Sequence, residues 1–169
     1  MKEEYTIARI CSNGHTQRIA VSKREVAFEL VDINEVLGPQ CGICHSITFS
    51  TSHEIPEIDL ELLQEWSTNL DLYFMPQDEE LLLADEKYLD MILEMLDSVQ
   101  LPDHKRNVLM DALCVIVYDN TIEGNDKKDD QLKSRVISEL VKRKEKLVLA
   151  EEWIMDYIKD VVYPQLEEK

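Results

Sequence analysis

No run of about 18 apolar residues occurs in the 169-residue chain, which excludes an ordinary membrane-spanning helix. Glycine is scarce at 4 residues and proline at 5, so collagen-like and low-complexity classes are excluded as well. Basic residues are few, 18 against 35 acidic, and the net charge of -17 sets the chain against phosphate backbones. Nucleic-acid binding needs Lys and Arg to displace condensed counterions. The opening residues Met1-Lys2-Glu3-Glu4-Tyr5 lack the basic patch and apolar stretch of a secretory signal, so a cytoplasmic location is expected. What is present is enough apolar material, 44% of residues, to bury a core without help from disulfides.

The charge is uneven. Residues 1–53 hold five basic and six acidic residues, whereas residues 54–100 hold fourteen acidic residues and a single cation, Lys87. Pattern divides the chain at the same place. Thr16 to Val21 and Val26 to Val31 alternate in the manner of half-buried strands, and Ser46-Ile47-Thr48-Phe49 reads as another. After Pro56 the period becomes helical: Ile58, Leu62, Trp66 and Leu70 recur at four-residue steps. A second helix is expected from Asp78 to Val99, with Leu82, Leu89, Ile92, Leu96 and Val99 on one face. A third carries the wide stripe Val108, Leu109, Ala112, Leu113, Ile116 and Val117. The polar run from Gly124 to Asp130 reads as an exposed loop, followed by one long helix or two over residues 129–163. The expected fold is α+β. A small N-terminal antiparallel β zinc ribbon over residues 1–53 precedes an acidic all-α region over 54–169, built as a bundle or stacked hairpins of four to five helices.

Two clusters carry the chemistry, Cys11-Ser12-Asn13-Gly14-His15 and Cys41-Gly42-Ile43-Cys44-His45. In a reducing compartment, paired thiols serve as metal ligands more readily than as bridges. A tetrahedral zinc needs four converging ligands, and two tight turns that present two each supply them. Cys41 and Cys44 have that spacing, and Gly14 gives the backbone the freedom to bring Cys11 and His15 to the same ion. The expected set is Cys11, His15, Cys41 and Cys44 around one structural Zn2+. His45 is the alternative fourth ligand, although neighbours in a tight turn rarely share an ion. His45 and His53 otherwise read as surface residues, and Cys114 as core filler. The same letters fit the c-type haem motif C-x-x-C-H, but that attachment takes place outside the cytosol. A redox C-x-x-C would open a helix, whereas a strand pattern follows here.

The pattern C-x-N-G-H, a strand-rich stretch and then C-x-x-C-x-x-I-T resembles bacterial zinc-ribbon, or rubredoxin-like knuckle, proteins. The resemblance covers the first third of the chain and implies a structural zinc in a small antiparallel ribbon. His45 stands where such ribbons commonly have glycine, and the 25-residue insert between the clusters is longer than in minimal versions.

No phosphate loop, H-E-x-x-H, G-x-S-x-G or Glu-x-x-His pair occurs, and four ligands would close a zinc site to substrate. The expectation is a non-enzymatic zinc-binding adaptor or regulatory protein with no catalytic residues, whose acidic helical surface docks on a protein partner with a basic surface. One alternative is a zinc-ribbon nucleic-acid-binding or transcription-associated regulator, with Arg9, Arg18, Lys23 and Arg24 of the ribbon and the one basic turn Lys142-Arg143-Lys144-Glu145-Lys146 as its cations. Another is a metal-dependent enzyme.

Overall fold

The computed structural model describes residues 4–74, 78–98, 101–122 and 129–145, with Asp156 and Lys159. It is α+β, a three-stranded antiparallel sheet near the N-terminus and about seven helices. The chain divides into two compact units. One comprises Met1–Trp66 with Asp71–Gln77, the other Ser67–Leu70 with Asp78–Lys169.

In the first unit, β1 (Glu4–Cys11) is the central strand, flanked by β2 (Thr16–Ser22) and β3 (Phe49–His53). Period-two alternation turns Ile7, Arg9 and Cys11 of β1 inward, and leaves Glu4, Thr6 and Ile10 exposed. The register places Ile7 opposite Ile19 and His53, and Arg9 opposite Gln17 and Thr51. Two short helices, α1 (Lys23–Ala27) and α2 (Ile33–Leu37), follow β2 and supply Val26 and Ile33 to a core with Ile7 and Val21. The alternation over Val26 to Val31 predicts a strand, but the structure has none there: Val26 and Ala27 end α1 and residues 28–31 form a turn and loop. The cause is local: the Ser22 hydroxyl accepts from the Glu25 amide while the Glu25 carboxylate accepts from the Ser22 amide. That reciprocal cap satisfies two orphan donors and starts a helix that alternation alone does not reveal.

Helix α3 (Leu60–Thr68) begins after Pro56 and buries Leu62, Leu63 and Trp66. Leu70, assigned by its spacing to the same face, lies beyond the helix and is exposed. Trp66 stacks on Phe74, and Phe74 on Phe28, with ring centroids 5.5 and 5.1 Å apart.

The second unit is helical. The expected helix from Asp78 to Val99 is broken into α4 (Glu79–Leu83), a 3-10 turn at Glu86–Tyr88 and α5 (Leu89–Leu96). Asp85 makes the break, its side chain accepting from the Lys87 amide to cap the new turn. Leu83 rather than Leu82 is buried as a result, and Val99 lies outside the described residues. Helix α6 (Asp103–Asp119) buries an unbroken run from Leu109 to Val117, as its wide apolar stripe predicts. Helix α7 (Asp130–Lys142) contributes Val136 and Leu140. Buried Asn120 ties the two together: its amide donates to the Ile116 carbonyl at 2.8 Å and its oxygen accepts from the Asp129 backbone at 2.6 Å. Asp129 then caps α7. The loop from Gly124 to Lys128 and the continuation through Leu147, Ile154, Tyr157, Ile158 and Val161 lie outside the described residues.

Candidate metal centre

Each of the two clusters folds as a tight turn, and the sheet brings them together. Cys11 ends β1, and its amide donates to the His15 carbonyl while the Gly14 amide donates back to Cys11. Gly14 has φ +81, so the first turn uses the freedom expected of it. In the second turn the His45 amide donates to the Cys41 carbonyl, and the Cys41 amide to that of Ser46. His45 adopts φ +59. It occupies the left-handed position where a zinc ribbon commonly has glycine, at a backbone cost of about 1–2 kcal/mol. The turns are joined by the Ser12–Ser46 hydroxyl pair at 2.8 Å and by the Ser12 amide donating to Thr48.

This geometry gathers Cys11, His15, Cys41 and Cys44, with all four ligand atoms within 4.8 Å of one another. Cys11 Sγ lies 3.5 Å from His15 Nδ1 and 3.6 Å from Cys44 Sγ, and Cys41 Sγ lies 3.9 Å from the same nitrogen. A tetrahedral ion with metal–sulfur and metal–nitrogen distances of about 2.3 and about 2.0 Å would hold its ligands roughly 3.5 to 3.8 Å apart. The four side chains could therefore hold one metal ion. A disulfide needs sulfurs about 2 Å apart, and all four cysteines are free. His45 stands outside the group, as do His53 and exposed His104. Cys114 is buried in α6, where desolvation pushes its thiol up to about 12, helped by the nearby Asp111 charge.

Hydrogen bonds prepare the sulfurs. The Cys44 thiol is pulled down to about 6, first by the Asn13 side chain and then by the Ser46 amide. Burial raises the Cys11 thiol, and the Asn13 and His15 amides partly offset it. Amide hydrogens aimed at sulfur favour the thiolate, the form a metal binds.

Arg9 is the residue that the sequence reading misplaced. Named there as a candidate for phosphate contact, it is fully buried, two residues before Cys11 on the inward face of β1. Its Nε donates to Gln17 at 3.0 Å and Nη1 to Asn34 Oδ1 at 3.0 Å and the Gly38 carbonyl at 2.7 Å. Nη2 reaches the carbonyls of Leu37 at 3.4 Å and Gln40 at 3.2 Å, and the guanidinium lies 4.1 Å over the Phe49 ring. No carboxylate is among these partners. The cation is held by the dipoles at the end of α2 and in the segment that delivers Cys41, and so links both ligand-bearing stretches. Strand alternation, which puts Arg9 on the face of Ile7 and Cys11, is the signal that could have revealed it.

Four of the other basic candidates are also engaged. Lys23 pairs with Asp59 at 2.6 Å and Arg24 with Glu65 at 2.6 Å. Arg143 grips Asp97 with two nitrogens and Glu139 with the third, while Lys142 also meets Glu139. Arg18 is exposed.

Compared with protein-family models, with curated proteins and with solved structures, the chain matches none. The likeness to a zinc knuckle thus rests on these four side chains and their two turns beside a small sheet.

Proposed function

We propose that the chain is a non-enzymatic adaptor or regulatory protein, in which one structural zinc ion fixes the sheet-bearing unit and acidic helices dock on a protein partner with a basic surface. The observation that carries the reading is the closed set of three sulfurs and one imidazole at tetrahedral spacing. Three cysteines and a histidine favour zinc over calcium or magnesium, which take oxygen ligands. A filled set of four leaves no coordination position for a substrate, which favours a structural ion. On the helical side, exposed Glu86 and Glu94 pair with no cation among the described residues, so acidic charge remains for a partner. Direct nucleic-acid binding is disfavoured because Arg9, Lys23, Arg24, Lys142 and Arg143 are already committed to internal partners.

Elemental analysis of protein purified without added metal tests the first half. One zinc per chain is expected, and Cys41→Ser should abolish it, loosen the sheet and leave α6 folded. A metal-free native protein would refute the site. Cross-linking in native lysate tests the second half: contacts should map to the helices, reach Lys- or Arg-rich surfaces and weaken with salt. Salt-insensitive contacts, or a nucleic acid recovered in place of a protein, would count against docking.

A further inference from the structure

A cleft of about 270 Å3 lies within the first unit.

 Buried Ile7, Val26 and Ile33 form its apolar lining, and exposed Glu29 and Asp32 and half-buried His53 complete it. Neither carboxylate has an ion-pair partner among the described residues, and Asp32 uses one oxygen to accept from the Asn34 amide at 2.7 Å. A lining of this kind suits a long side chain with an apolar stem and a cationic end.

The open edge of β3 is a second, independent feature. Among the described residues β3 pairs only with β1, so its outer backbone groups have no strand partner there. Ser50, Thr51 and Ser52 are exposed there, and the strand has none of the lysines or prolines that blunt natural edges. Thr51 and His53 belong to this strand and also line the cleft, so edge and cleft adjoin.

We propose that β3 and the adjoining cleft bind an extended peptide from a basic partner protein as a fourth strand, with one Lys or Arg side chain directed to Glu29 and Asp32. Backbone pairing supplies affinity and the acidic cleft supplies selectivity. A second copy of this chain is a poor occupant, because β3 carries no Lys or Arg and the chain's net charge of -17 opposes self-association. The inference shares with the reading above only the basic character of the partner. It requires the sheet and does not require the acidic helices.

The test is selection from a random linear-peptide library on the immobilised, metal-loaded full chain. Recovered peptides should share one Lys or Arg flanked by β-branched residues at alternate positions. Replacing that residue with neutral citrulline or glutamine, or N-methylating the peptide backbone, should each weaken binding by about tenfold or more. The double variant Glu29→Gln, Asp32→Asn should do the same. It keeps the α2 cap, since Asn caps as well as Asp, and its unchanged circular dichroism would show a retained fold. Amide resonances of Phe49–His53 should shift on titration. Recovery of no peptide, peptides without a cation, binding that survives N-methylation, or self-association through β3 would overturn the proposal. Zinc content of the same samples, which the proposal leaves unchanged, separates its failure from failure of the metal site.

Discussion

Replacing Arg9 with Met should weaken metal binding although Arg9 touches no ligand atom. The guanidinium makes five hydrogen bonds, of which three go to the carbonyls of Leu37, Gly38 and Gln40, just ahead of Cys41. Hydrogen bonds to a charged group contribute about 1.5–3 kcal/mol each, but these do not sum, because deleting the cation also removes the cost of burying it. The carbonyls of this half-exposed segment can regain water, so a net loss of about 3 kcal/mol in the first unit is expected. Once the segment is free, Cys41 and Cys44 are no longer held at the spacing that Cys11 and His15 require. Loss of such a supporting group typically lowers metal affinity about 10- to 100-fold. Arg9→Lys should fall between Met and the native residue: it restores the charge but cannot fork to acceptors on two sides. Chelator competition gives the affinity, and urea unfolding of the metal-loaded and stripped forms gives the stability. Cobalt substitution separates direct from indirect effects, since a distorted ligand set changes the visible spectrum while simple destabilisation does not. Native affinity and an unchanged cobalt spectrum in Arg9→Met would refute the reasoning.

Other outcomes follow from the same geometry. His15→Ala should weaken metal binding, whereas His45→Gly should retain one ion per chain and relieve the left-handed backbone, which metal titration of both variants checks. Asn120→Ala should lower the stability of the helical unit by about 1–3 kcal/mol, because it leaves the Asp129 amide without its acceptor; a shifted denaturation midpoint checks this. Hydrogen bonds from Lys142 and Arg143 hold the Glu139 carboxyl below its ordinary value of 4.5. A carboxyl depressed in the folded state stabilises above its unfolded value, and that contribution is lost as pH falls through the folded one. Stability of the helical unit should therefore decline below about pH 4.5, and less steeply in Glu139→Gln, as acid titration followed by circular dichroism would show.

Much of the arrangement was legible because it depends on local spacing. Two ligands per turn require residues three or four apart, and Gly14 advertises the bend, so the four side chains could be named without coordinates. Alternation likewise located β2, and the wide stripe located α6. Two failures in secondary structure share one physical source, side chains that bond to nearby backbone. Ser22 and Glu25 cap α1 inside a stretch that alternates like a strand. Asp85 caps a 3-10 turn inside a stretch with helical period. Ser-x-x-Glu was readable at the first site. At the second, no Gly or Pro marked the break, and an aspartate within a helical pattern is ambiguous until its partner is known.

Charge was misread for a different reason. Counting cations gives Arg9 the same weight as Arg18, yet one is fully buried and the other exposed. Glu79, within the acidic stretch of residues 54–100, is buried near Lys105, whose ammonium is pushed down by desolvation and supported by the Glu79 charge. Arg135 and Arg143 likewise meet Asp90 and Asp97, joining α7 to α5 by two ion pairs about two turns apart. A net charge limits what a surface can attract at long range, but it does not say which charges remain on that surface. For this chain the distinction changes the functional inference. Internal pairing takes up most of the cations considered for nucleic acid, while Glu29, Asp32, Glu86 and Glu94 keep exposed negative charge. The excess available to a partner is therefore more one-sided than composition alone implies, and it favours a basic protein surface over a phosphate backbone.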